Sequence, residues 1–86
     1  MYQINFLDAA TKDLSRLDKP NAQRILKRIR WLVENISSIK HQQLSGDFAG
    51  LYKLRVGNYR VIYEILYVEH IMIIHLIGHR REIYKR

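Results

Sequence analysis

Two hydrophobic periods divide the chain into elements. Tyr2, Ile4 and Phe6 alternate with Gln3 and Asn5, the period of a short strand. From Lys19 to about Asn35 the period is helical. Ala22, Ile25, Leu26, Ile29, Leu32, Val33 and Ile36 share one side, and Arg24, Lys27, Arg28 and Trp31 lie opposite. Between these stretches, Asp8 is an N-cap ahead of Ala9 and Ala10, and Leu14 and Leu17 fall on one side of a first helix. Asp18 and Pro20 mark its break and the start of the second helix, since proline is tolerated in a first turn. Ser37 to Gly50 has no sustained period and reads as a loop anchored by Leu44 and Phe48.

From Leu51 the two-residue period returns and predicts three strands. Gly57-Asn58 is a two-residue hairpin signal. With those residues as the loop, Val56 pairs with Tyr59, Arg55 with Arg60, Leu54 with Val61, Lys53 with Ile62, and Tyr52 with Tyr63. Directly paired residues share a face. The core face therefore holds Tyr52, Leu54, Val56, Tyr59, Val61 and Tyr63, and the open face Lys53, Arg55, Arg60 and Glu64. An even-length loop around Val68-Glu69 carries this register into the third strand. It sends Ile74 and Leu76 to the core and Ile71, Ile73, His75 and Ile77 to the open face. A slip of one residue would invert all of this. The expected fold is α+β, a single small domain over residues 1–86. Its order is strand-helix-helix-strand-strand-strand, with a mainly antiparallel twisted sheet, two N-terminal helices on one face and a short basic C-terminal tail.

Composition narrows the function. The net charge is +7 and the pI about 10.0, which calls for a polyanionic or acidic partner: nucleic acid first, an acidic protein second. Without cysteine there is no disulfide framework or thiolate metal site, which suits a reducing cytoplasm. The N-terminus lacks a signal-peptide pattern. The most apolar run, Val61 to Ile77, is broken by Glu64, Glu69, His70 and His75, which argues against a membrane span.

The candidate chemistry is cationic. Arg55 opposite Arg60 is unfavourable unless an anion lies between them, and arginine forks match phosphate oxygens. The tail sets Arg80, Arg81, Lys85 and Arg86 against one acid, Glu82, with Tyr84 among them. Aromatic rings interleaved with cations suit unstacked bases. Taken singly, each of these groups also fits a solvated surface. His41, His70, His75 and His79 are too dispersed for a metal site, and the acids too scattered for catalytic Mg²⁺. His75 reads as a polar residue on the open face, roughly 10 Å from Lys53, and with His79 as a reserve proton carrier.

The run Leu54-Arg55-Val56-Gly57-Asn58-Tyr59-Arg60-Val61-Ile62-Tyr63, followed by Gly78-His79-Arg80-Arg81-Glu82-Ile83-Tyr84, resembles the RelE/ParE superfamily of bacterial and archaeal toxins. The resemblance covers the whole chain. It implies a toxin of a type II toxin-antitoxin module, and branches into two activities. RelE-type members cut messenger RNA in the ribosomal A site without a metal, and ParE-type members poison DNA gyrase and lack the nuclease residues. Matching the motif places Lys53, Arg60, Arg80 and Tyr84 as catalytic residues of a RelE-type nuclease, with Arg55, His79 and Arg81 binding RNA. Lys53 would be the proton acceptor if Arg55 and Arg60 disfavour its charged form. Leu51 stands where relatives often carry a second lysine, so the general base and acid stay open. Arg24, Lys27, Arg28 and Trp31 are expected to touch the ribosome or the antitoxin.

No cofactor is expected. The expected partners are the ribosome, messenger RNA and an acidic antitoxin that wraps the domain and covers Ile71, Ile73, Ile77 and the Trp31 side. The resemblance also implies operator binding by the complex through the antitoxin, and a cytoplasmic location with no membrane contact. The other readings are a ParE-like gyrase inhibitor without catalysis and a non-catalytic nucleic-acid-binding module.

Overall fold

The computed structural model describes residues 1–85, so Arg86 of the basic tail lies outside the described residues. The chain runs β1 (Gln3–Phe6), α1 (Asp8–Ser15), α2 (Lys19–Glu34), β2 (Gln42–Gln43), β3 (Tyr52–Val56), β4 (Tyr59–Leu66) and β5 (Ile71–His79), with single 3₁₀ turns at Gly46–Phe48 and Ile83–Lys85. The five strands form one sheet in the order β1-β5-β4-β3-β2. β1 runs parallel to β5, and every other neighbour is antiparallel. This is the expected α+β arrangement with one strand added. β2 lies within the predicted loop, and two residues are too few to carry a period.

Both helices form where the pattern places them. Asp8 is not the cap of α1: Leu7 precedes the helix, and Asp8 is its acidic first-turn residue, favourably placed for the helix dipole. Asp18 does occupy the cap position of α2, but its Oδ1 accepts from Asn21 Nδ2 at 2.7 Å and caps no backbone N–H. The face of α2 turned to the sheet is Ile25, Ile29, Leu32 and Val33, continued by Ile36. Leu26, at the edge of that arc, is exposed, so the buried stripe is narrower than the pattern suggested.

The core joins this stripe to Leu54, Val56, Val61, Tyr63, Ile65, Met72, Ile74 and Ile77, with Tyr52, Tyr59, Leu14 and Leu17 packed at its margin. Fully burying each aliphatic side chain contributes about 1.5–3 kcal/mol, and this drive holds helices and sheet together. The β3–β4 hairpin has the predicted register at all five pairs. Gly57 has a φ of +59°, the left-handed conformation that glycine takes without steric cost.

The β4–β5 ladder departs from expectation. Tyr63 pairs with Ile74 but Ile62 with Leu76, so β5 spends one extra residue, His75, in a β-bulge. The bulge reverses the facing of the residues beyond it. Leu76 sits opposite Ile62 on the open face, and Ile77 pairs with Val61 and is 2% exposed in the core. Both assignments made from strict alternation are thereby overturned, and Ile77 cannot belong to an exposed apolar patch.

β1 reaches only as far as Ile74 along β5. Past that point α1 covers the strand edge, and Asp13 Oδ2 accepts the Ile77 N–H at 2.9 Å. On the open face, Ile62 is fully buried although no helix lies over it. The tail reaches across instead: it packs on β5, and Tyr84 meets Phe48 edge-on with 5.9 Å between ring centroids.

Candidate functional site

The β3–β4 turn gathers cations from three parts of the chain. Arg60, near the start of β4, is 8% exposed. Gly78 stands opposite it on β5. One guanidinium nitrogen of Arg60 donates to the carbonyls of Gly57 at 3.0 Å and Tyr59 at 2.8 Å, which braces the turn. From α2, the Arg24 guanidinium lies against Gly57, 2.7 Å from where a β-carbon would be. From the tail, the Arg80 N–H donates to Asn58 O at 2.8 Å, extending the ladder past His79 and leaving the Arg80 side chain exposed. Arg24 thus belongs to this turn rather than with Lys27 and Arg28.

The remaining candidates flank the cluster. Arg55 lies opposite Arg60 and is exposed. Arg60 relieves the like-charge pairing by turning to the carbonyls. Lys53 is half-buried between Gln42 and Ile62. His79 packs its ring edge-on against Tyr59, and its Nδ1 accepts the Arg81 N–H at 3.2 Å, which orients the start of the tail. Tyr84 is 42% exposed.

Arg28 stacks on Trp31, with the guanidinium carbon 4.4 Å from the ring centroid. The two share a groove with Lys40, Lys53 and Arg55, which brings the basic side of α2 next to β3. Lys27 is exposed on that side. Among the described residues, none of the cations of this turn and groove lies within 4.0 Å of a carboxylate. Cations brought together without acids repel one another, and a bound polyanion removes that cost.

Two groups carry structure that the pattern did not reveal. His41 bridges Tyr63 OH at 2.6 Å and the Ile36 carbonyl at 2.9 Å. The carbonyl only accepts, so His41 Nε2 donates to it, and in a neutral ring Nδ1 accepts the Tyr63 hydroxyl. Burial, reinforced by Tyr52 and Tyr67, pushes the Tyr63 hydroxyl well above its ordinary pKa. On the open face, His75 Nε2 and Glu64 Oε1 are 2.9 Å apart. No group of three or more possible metal ligands occurs among the described residues, and no described helix is long and apolar enough to cross a membrane.

Residues 4–84 match the family model of the ParE toxin of the type II toxin-antitoxin system parDE. The chain belongs to that family of toxins. The toxin's structure is similar to a chain of the RelBE2 toxin-antitoxin complex from Mycobacterium tuberculosis, with TM-score 0.81 and 24% identity over 92% of this chain and 98% of that one. It is similar to the isolated E. coli RelE toxin, with TM-score 0.77 and 20% identity over 92% and 84%. It is also similar to a chain of the archaeal RelE–RelB complex from Pyrococcus horikoshii OT3, with TM-score 0.72 and 28% identity over 92% and 94%. The likeness to the first two is one of fold. Among curated proteins, no sequence matches.

Proposed function

We propose that this toxin is a ribosome-dependent, metal-free endoribonuclease that cuts messenger RNA through attack of the substrate's own 2′-hydroxyl. The observation that carries this reading is the set of acid-free cations around the β3–β4 turn, with Lys53 on the adjoining strand and Tyr84 at the end of the tail that crosses from β5. Arg80 neutralises the phosphorane oxygens, Arg24 holds a neighbouring phosphate at the turn, and Arg60 braces the turn and presents its remaining donors. Tyr84 stacks on or orients a nucleotide, Lys53 moves a proton, and Arg55, His79 and Arg81 track the RNA. Lys27, Arg28 and Trp31 contact the ribosome.

A cognate antitoxin is the partner that silences the toxin, as RelB accompanies RelE in the Pyrococcus horikoshii complex. Its segment covers half-buried Ile71 and Ile73 on the open face, and the Trp31 side. Operator binding by the pair through the antitoxin, and action in the cytoplasm, belong to the same reading.

The family match favours a second reading, a gyrase-directed ParE-type toxin without catalysis. The two separate in one experiment, the mapping of messenger 5′ ends after brief expression. New ends and a rapid translation block support the nuclease. Intact messengers with DNA-damage signalling and filamentation support gyrase.

A further inference from the structure

We infer that His75, held by Glu64, is the group that accepts the 2′-hydroxyl proton, and that Lys53 donates a proton to the leaving oxygen. This rests on the nuclease reading.

The β-bulge is the first observation. β5 spends one residue more than β4 between Ile74 and Leu76, and that residue is His75. Bulges re-aim side chains, and here His75 and Leu76 both come to the open face. The second observation is the 2.9 Å bond between His75 Nε2 and Glu64 Oε1. An ionised carboxylate only accepts, so the hydrogen of the neutral ring resides on Nε2. That fixes the tautomer and leaves the Nδ1 lone pair free as a proton acceptor.

The third observation is the position of Lys53. Lys53 pairs with Ile62 and Ile62 with Leu76, so Lys53 and the bulge flank Ile62 two strand spacings apart, roughly 10 Å between α-carbons. Ile62 is covered, and a ribose with its 3′-phosphate that takes the place of the tail over it has His75 on one side and Lys53 on the other. In-line displacement requires such opposed groups, one at the entering oxygen and one at the leaving oxygen. Arg60, one of the two cations that would have to crowd Lys53 for it to act as a base, is turned to the carbonyls of Gly57 and Tyr59. Lys53 therefore fills the donor's place.

The step balances. O2′ forms a bond to phosphorus, and its proton goes to His75 Nδ1. The P–O5′ bond breaks, its electron pair stays on O5′, and Lys53 Nζ supplies the proton. The products are a 2′,3′-cyclic phosphate end and a 5′-hydroxyl end. Glu64 touches no reacting atom and is a positioning residue.

The test is single-turnover cleavage of synthetic messenger on programmed ribosomes by the purified toxin. His75→Ala and His75→Gln should each lose about 10²- to 10⁴-fold in rate with ribosome affinity unchanged, and added imidazole should restore part of the His75→Ala rate. Glu64→Gln should lower the rate at saturation about 10-fold with no change in KM and no response to imidazole. A messenger with a bridging 5′-sulfur at the scissile bond has a leaving group that needs no proton. It should rescue Lys53→Ala and leave His75→Ala slow. Wild-type rates from both His75 variants, or rescue of His75→Ala by the sulfur substrate, would overturn the assignment while the nuclease reading stands. A wild-type toxin that cuts no ribosome-bound messenger overturns both.

Discussion

The Asp13 carboxylate accepts the backbone N–H of Ile77 at 2.9 Å and so ties α1 to the far end of β5. The bond stands where a parallel strand would otherwise continue, because β1 stops opposite Ile74. A buried amide needs an acceptor, and removing one costs about 1–3 kcal/mol. Asp13→Ala should therefore lower the urea midpoint by a stability equivalent of that size with an unchanged m-value, and Asp13→Asn, which keeps an acceptor oxygen, should lose less. Equal midpoints for Asp13→Ala and wild type would show that the bond contributes nothing net.

Arg60 and Arg80 should fail in different ways. Arg60 is buried and bonded to two turn carbonyls, whereas Arg80 is exposed and enters the turn through its backbone. Arg60→Ala should lower Tm, by a stability loss of about 1–3 kcal/mol, as well as messenger cleavage. Arg80→Ala should reduce cleavage about 10²- to 10³-fold and leave stability within about 0.5 kcal/mol of wild type. Thermal melts beside cleavage assays check this, and a full-strength Tm for Arg60→Ala would refute the bracing role.

The β3–β4 hairpin was legible in the sequence to the last pair, because a two-residue Gly57-Asn58 turn and unbroken alternation leave one register. The second half of β5 was not. Ile74-His75-Leu76-Ile77 alternates no worse than a regular strand, and a bulge has no composition of its own. Asp13 carried no signal in the sequence, since its partner is a backbone amide 64 residues away. The candidate cations were visible as residue types. That Arg24 joins the turn while Lys27 stays apart depends on how α2 lies over β3, which helical period alone does not set. His41 lay in a stretch without period, so its bond to Tyr63 left no mark.

The Tyr63 hydroxyl links stability to alkaline pH. Its pKa in the folded chain is raised by burial and then by Tyr52 and Tyr67, above the ordinary tyrosine value of about 10. Above that pH the unfolded chain has given up the proton while the folded chain still holds it, so stability falls as pH rises. Below it the contribution is fully present. Urea midpoints taken from pH 8 to 11 should decline above about pH 10. Tyr63→Phe should flatten that decline, and at pH 8 should cost about 1–3 kcal/mol through the acceptor stranded on His41.

Lys27 and Arg28 separate charge from stacking. Both lie on the basic side of α2, but it is Arg28 that stacks on Trp31. Lys27→Glu and Arg28→Glu should each weaken sedimentation with ribosomes, and the wild-type association should fall as salt rises. Arg28→Glu alone should also alter Trp31 fluorescence, through loss of the cation–π contact. Ribosome association that ignores both charge reversals would return these residues to the role of solvated surface.

The bulge makes β5 tolerant of one deletion. Remove His75, and Ile74, Leu76 and Ile77 fall into strict alternation of core, open, core, which are the faces they already occupy. In the ladder, His75 is a supernumerary residue. A one-codon deletion inside a central strand ordinarily throws every later side chain onto the wrong face, yet at this position it would restore the phase. The deleted chain should fold with Ile77 still in the core and should lose only what the histidine does. The folding of β5 therefore gives no reason to keep His75.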